Sequence, residues 1–122
     1  MRERRRIVGE QGERLAAGYL QAKGYEIVER NYRTRRGEID LIARRQRELV
    51  FVEVRTRTTN RFGTPAESVD GRKQKKLREL ALAYLQQKGR TASSFRFDVI
   101  AITCPSGGDW NQAQILHIEH AF

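Results

Sequence analysis

Several residue types that mark common protein classes are scarce in this 122-residue chain. It has one cysteine, Cys104, two prolines and two histidines, and no apolar run near the length of a membrane span. A lone cysteine excludes an internal disulfide and any cysteine-based metal framework. That suits a reducing cytoplasm, which is the expected location. A span needs roughly 18 consecutive apolar residues, so no membrane partner is expected. The opening MRERRR carries the charge of a signal-peptide n-region, but the following IVGEQGERLAAGYL scatters charges where an apolar core would be needed. Internal repeats, low-complexity tracts and linkers are lacking as well. Residues 1–122 therefore read as a single domain, with 1–7 expected as a disordered basic tail.

What the chain has in excess is positive charge. Lysine and arginine total 24 against 15 acidic residues, a net charge of +9, and 19 of the 24 are arginine. Such a surface attracts polyanions, and the guanidinium fork grips phosphate through two hydrogen bonds. Nucleic acid is the expected partner, and the charge alone leaves DNA and RNA open. A basic composition can also serve solubility alone, so the charge needs support from the pattern of residues.

Apolar periodicity predicts a helix from about Val8 to Lys23, with Leu15, Ala16, Tyr19 and Leu20 on one stripe and Gly24 as its stop. YEIVERNYR reads as a short edge strand, followed by two strands, Gly37–Ala43 and Leu49–Arg57. Thr64, Pro65 and Glu67 have capping-box spacing and predict a helical turn. A second main helix is expected from Gly71 to Lys88, with Leu77, Leu80, Ala81 and Tyr84 facing inward. FRFDVIAIT is a further strand, and QILHIEHAF a last strand or strand plus turn. The order is αβββαβ with a C-terminal extension, an α/β domain with a mixed sheet flanked by helices.

The two middle strands carry the chemistry. With a turn centred between Gln46 and Arg47, paired positions sum to 93. Leu41 then faces Val52 and Ile39 faces Val54, while Ile42 meets Phe51, Asp40 meets Glu53 and Glu38 meets Arg55. A one-residue slip breaks both ladders, so the pattern favours this register. It sets two carboxylates side by side, with Cβ atoms about 5 Å apart, where like charges destabilise a sheet. A divalent cation with oxygen ligands, Mg²⁺ or Mn²⁺, would neutralise them and leave positions open for water and phosphate. Glu13, on the apolar stripe of the first helix, is a third acid aimed at the sheet. The alternative is a purely structural network in which Glu38 pairs with Arg55 and the other acids with nearby arginines.

The segments GE-x-x-A (Gly12, Glu13, Ala16), RNYRTRRGEIDLIA, VFVEVRTR, FGTPAESV, RFDVIAI and HIEHAF, in this order, resemble the YraN family of bacterial proteins. That family is similar to Holliday-junction resolvases and other PD-(D/E)xK nucleases. The resemblance runs from Gly12 to Phe122. It implies a restriction-endonuclease-like αβββαβ core and metal-dependent hydrolysis of phosphodiester bonds in DNA, including branched or repair intermediates. Asp40 and Glu53 are the implied metal ligands, joined by the Val54 carbonyl, with Glu13 holding a water or second ion. Arg55 stands where the superfamily pattern has lysine. Arginine cannot act as a base, but it can steady charge developing on a phosphate. Lys73, at the start of the second helix, is an alternative ammonium.

Arg35, Arg36, Arg57, Thr58, Arg61, Lys73 and Lys76 are the residues expected to hold nucleic-acid backbone. The competing function is a nucleic-acid-binding protein that keeps the nuclease fold without cutting, with Arg55 marking lost catalysis. Symmetric junction cutting would need two sites and hence a homodimer, for which the sequence has no signature. His117 and His120 form an HxxH pair with a structural role expected. Arg96 and Asp98 share a strand face and are expected to pair, and Trp110 fits either a dimer contact or a base-stacking platform.

Overall fold

The computed structural model describes residues 2–57, 69–88, 94–105 and 108–122, with side chains from residue 6 onward. Helix α1 (Arg2–Ala22) is followed by β1 (Glu26–Thr34), β2 (Gly37–Arg45) and β3 (Glu48–Arg57). Then come α2 (Gly71–Gln87), β4 (Ser94–Thr103), a 3-10 turn (Trp110–Gln112) and β5 (Gln114–Ile118). The expected element order holds. Helix α1 starts before the boundary suggested by its apolar stripe, so most of the basic opening segment is helical rather than a disordered tail. The expected turn at Thr64–Glu67, and the proposed contacts at Thr58 and Arg61, lie outside the described residues.

The five strands form one sheet in the order β1-β2-β3-β4-β5. Strands β1, β2 and β3 are antiparallel neighbours, β3 and β4 are parallel, and β5 returns antiparallel to β4. Parallel neighbours need a crossover, and α2 supplies it. Strand β1 lies at a sheet edge, as its mixed polarity suggested.

The helices cover opposite faces. On one side Ala16, Ala17 and Leu20 of α1 meet Leu41, Val50, Val52, Ile100 and Ile102. On the other, Leu77, Leu80, Ala81 and Tyr84 of α2 meet Ile42, Phe51, Phe97 and Val99. Tyr84 stands edge-on to Phe51 and Tyr32, and Phe97 stacks between Phe51 and Phe122. Strands β3 and β4 are buried on both faces, which explains their near-continuous apolar runs. Asp70 caps α2 by accepting from the Lys73 amide at 3.0 Å, fixing the direction of its first turn. No helix among the described residues is long and apolar enough to cross a membrane.

The β2–β3 hairpin has the expected register over five pairs, Leu41–Val52 to Arg45–Glu48, around a two-residue turn in which Gln46 has φ 58°. It departs from expectation beyond Leu41. Ile39 joins Ile42 in the core under α2, whereas Leu41 lies under α1. The alternation therefore breaks at Asp40. Two local causes stand beside the break. Asn31 on β1 has the left-handed φ of 53°, and the Asp40 side chain bonds the β3 backbone past the last paired rung.

Candidate metal centre

Asp40 Oδ2 accepts a hydrogen bond from the Val54 amide at 2.9 Å. A side-chain carboxylate thus occupies the place of the next backbone rung, and the two strands part around it. Glu53, on the preceding residue of β3, is 8% exposed and adjoins Asp40. The proximity of these two acids is as expected, although they are not partners in the ladder. Burial is the largest cause pushing the Asp40 carboxyl up to about 8, with the Glu53 charge next and the Val54 amide opposing. Val54 thus adjoins Asp40, as expected, and its N–H is one contact between them.

Glu13 reaches the same place from α1. The helix can approach because Gly12 faces Thr56 of β3: a Cβ on Gly12 would fall 1.8 Å from Thr56 Oγ1. Glu13, Glu38 and Asp40 each place a carboxylate oxygen within 4.8 Å of the others. Burial first, and then the Glu38 charge, raise the pKa of Glu13, against a hydrogen bond from Asn31. With nitrogen inward, the Asn31 amide donates to Glu13 Oε1 at 2.8 Å and to Glu38 Oε1 at 3.0 Å.

Glu38 corrects an expectation. It pairs not with Arg55 but with Arg33 at 2.8 Å. Arg33 is its cross-strand partner on β1, while the β2–β3 ladder has ended before Glu38 is reached. Its other oxygen is left to the acidic group. Glu38 and Asn31 are the site residues that sequence reasoning missed. The i, i+2 spacing of Glu38 and Asp40 was a usable signal; Asn31 gave none beyond the tolerance of asparagine for positive φ.

Cations rim the acids. Lys73 Nζ lies 3.4 Å from Glu53 Oε1, and Arg55 Nε lies 3.9 Å from the same oxygen. A cleft of about 290 Å³ on the α2 side is lined by Glu38, Asp40, Glu53, Lys73 and Lys76, with Gly37 at its edge. Gly37 has φ 153°, and a side chain there would press on Lys76 and Leu80. A second cleft of about 270 Å³ on the α1 side holds Glu10, Glu13, Arg14, Arg30 and Asn31. Arg35 and Arg36 are exposed in the β1–β2 turn, and Arg57 is partly exposed at the end of β3. Lys73 and Lys76 therefore join the acids; Arg35, Arg36 and Arg57 stand outside the cleft lining.

A second group of ligand-type atoms comprises Asp98, His117 and Glu119. Arg96 occupies its centre, as the expected pairing with Asp98 anticipated. It binds Asp98 through Nε at 2.9 Å and also reaches Glu48, Tyr25 and Glu119. His117 Nε2 contacts Asp98 at 2.6 Å, and Nδ1 meets the Tyr19 hydroxyl at 3.2 Å. The Arg96 guanidinium already pairs with Asp98 and Glu119, so this group reads as a structural network buried at Asp98 and open at Glu119, and His117 serves it. His120 contributes its backbone N–H to Asp98. Trp110 is partly buried against the α1-side core.

The donor set at the first group is entirely carboxylate oxygen, the chemistry of hard divalent cations such as Mg²⁺ or Mn²⁺. The Glu53 charge, second to burial among the causes that raise the Asp40 pKa, is what a cation would offset. These residues fit such an ion.

Comparison with known proteins agrees with the motif resemblance. Residues 12–102 match the model of "Uncharacterised protein family UPF0102". A UPF0102 protein of Moorella thermoacetica is 54% identical over 98 residues, covering 80% of this chain and 82% of that one. One from Pelotomaculum thermopropionicum is 45% identical over 122 residues and all of both chains. Another, from Rhodococcus jostii, is 50% identical over 115 residues, or 94% and 95% of the two chains. From Glu13 through Asp40 and Glu53, the acidic site falls inside the matched segment, and the chain belongs to UPF0102, the YraN family.

Proposed function

We propose that this protein is a divalent-cation-dependent endonuclease that hydrolyses phosphodiester bonds in DNA, branched or repair intermediates included. The observation that carries the reading is the grouping of Glu13, Glu38 and Asp40 within 4.8 Å, with Glu53 adjoining Asp40 in the cleft that Lys73 and Lys76 line, in a chain of net charge +9. Acids alone would repel a polyanion. A cation held among them, with lysines at the rim, turns the same place into a phosphate site.

Asp40 and Glu53 hold Mg²⁺ or Mn²⁺ in this reading, with Glu13 and Glu38 completing the acidic wall. A divalent cation supplies Lewis acidity toward a phosphoryl oxygen and makes water acidic enough to attack at neutral pH. The chain's own groups do the remaining work. The Val54 amide fixes one Asp40 oxygen, and Asp40 lines the cleft beside Glu53. Arg55 and Lys73, both beside Glu53, place positive charge where the phosphate becomes more negative during attack. Lys76, and beyond it Arg35, Arg36 and Arg57, hold the flanking backbone; Thr58 and Arg61 extend this contact in the proposal.

The test is a cleavage panel on duplex, single-stranded, flap and four-way-junction DNA, with and without chelator. Cation-dependent cutting that disappears in Asp40→Ala and Glu53→Ala supports the proposal. Wild-type protein that binds DNA yet cuts none of these substrates with either cation sinks it. That outcome would favour the second reading, a non-cutting DNA-binding protein, which Arg55 at the lysine position of the superfamily pattern supports. Binding by such a protein would be indifferent to chelator and to Asp40→Asn.

A further inference from the structure

The Asn31 carboxamide is wedged between two acids. One of its two heteroatoms stands 2.8 Å from Glu13 Oε1 and 3.0 Å from Glu38 Oε1. With nitrogen in that position, the amide donates to both carboxylates and holds them together. With oxygen there, it stands at contact distance from both carboxylate oxygens with no hydrogen between, and a shared cation is what makes that favourable. In an octahedral site with Mg–O distances of 2.0–2.1 Å, adjacent ligand oxygens are about 2.9 Å apart. The same two distances therefore suit a nitrogen bridging two acids and an oxygen sharing their cation.

A carboxamide is nearly symmetric in shape, so a half-turn about its last torsion exchanges donor for acceptor without moving the backbone. The backbone of Asn31, with φ 53°, sets the side chain among the acids and is one that asparagine, aspartate and glycine accept.

We propose that Asn31 is a switching member of the acidic site. Its amide nitrogen faces Glu13 and Glu38 when no cation is present, and its Oδ1 turns toward them as an added oxygen ligand when Mg²⁺ or Mn²⁺ binds. The inference rests on the cation-site reading above and adds to it a ligand and a change of state.

Two variants separate the roles. Asn31→Gly removes the side chain and keeps the left-handed backbone. Asn31→Asp keeps an oxygen but has no nitrogen to donate. The experiment titrates wild type and both variants with MnCl₂ by calorimetry, measures their melting with and without Mn²⁺, and follows the Asn31 side-chain amide by ¹H–¹⁵N NMR during Mg²⁺ addition. Asn31→Gly should bind Mn²⁺ about tenfold more weakly. Asn31→Asp should bind at least as tightly as wild type, melt lower without cation, and gain more on adding it. The Asn31 amide protons should shift as the cation saturates. Equal affinity in all three proteins, or an unmoved amide resonance at saturating Mg²⁺, overturns the switch while leaving the cation site intact. Wild type that takes up neither cation overturns the underlying reading and the switch with it.

Discussion

Asp40 bonds the Val54 amide at 2.9 Å, beyond the Leu41–Val52 rung with which the β2–β3 ladder ends. A carboxylate has replaced a carbonyl, and it sits against Glu53 with its pKa pushed up to about 8, by burial first and by Glu53 second. The strand pair is opened at the place where the acids gather. Stability has been exchanged for a charged cleft, which is the usual character of a functional site.

The raised pKa of Asp40 gives a pH dependence of definite sign. Between the ordinary carboxylate pKa and about 8, folded protein keeps a proton that the unfolded chain has released. In chelator, stability should therefore be greatest at the acid side of this window and fall as pH rises through 8. The loss is on the order of 2 kcal/mol once partial solvation is allowed for. Chemical denaturation at several pH values measures it. Asp40→Asn should flatten the profile, and excess Mg²⁺ should restore stability to wild type at the alkaline end. An identical pH profile in wild type and Asp40→Asn would contradict the assignment.

Gly12 sets how closely α1 approaches β3. Gly12→Ala would drive a methyl group against Thr56, whose Oγ1 lies 1.8 Å and Cβ 2.9 Å from the new carbon. Expected destabilisation is roughly 1–3 kcal/mol, the range for overpacking, with weaker Mn²⁺ binding because Glu13 shifts with its helix. Thr56→Gly in the same chain should recover part of both losses. A double-mutant cycle by urea denaturation and calorimetry decides; purely additive effects would show that the two residues do not compete for space.

Where the strands stay regular, sequence and structure agree. The turn at Gln46 and the alternation of Leu41 to Arg45 against Glu48 to Val52 specify one register, since any slip would turn apolar groups outward. The α2 stripe of Leu77, Leu80, Ala81 and Tyr84 was legible for the same reason. Prediction failed where a side chain took over backbone bonding. Extrapolating the alternation past Leu41 put Ile39 on the wrong face and Glu38 beside Arg55, because the break depends on Asp40 reaching Val54 and on the φ of Asn31. The Arg96–Asp98 pair was visible from its i, i+2 spacing. Its wider network was not, because Tyr25 and Glu48 are far away in sequence.

That network gives a prediction independent of any cation. Burial would raise the Asp98 pKa, but hydrogen bonds from His117 and Arg96 outweigh it and hold the carboxyl below its ordinary value. Its contribution is thus present above the unfolded carboxylate pKa and is lost as pH falls through the lower folded one. Asp98→Ala strips both Arg96 and His117 of their shared partner and should cost about 3–5 kcal/mol. Asp98→Asn should cost less. Melting curves in chelator and in Mn²⁺ should show the same loss. A loss that appears only with cation present would instead make Asp98, His117 and Glu119 a second metal site.

Lys73 lies 3.4 Å from Glu53 and comes from α2, whereas the strand position two residues after Glu53 holds Arg55. An arginine cannot give up its proton, but a lysine can. If the reaction needs a titrating ammonium, Lys73 must supply it. Lys73→Met should then lower cleavage about 100-fold or more, while DNA binding falls only a few-fold. Because its ammonium competes with a cation for Glu53, the same change should tighten Mn²⁺ binding. Lys73→Arg separates charge from proton transfer. Activity retained in Lys73→Arg means that positive charge beside Glu53 suffices, and activity lost in both variants means that a proton moves through Lys73. Unchanged cleavage in Lys73→Met would leave Arg55 as the group serving the phosphate, and Arg55→Met would then be the variant that stops cutting.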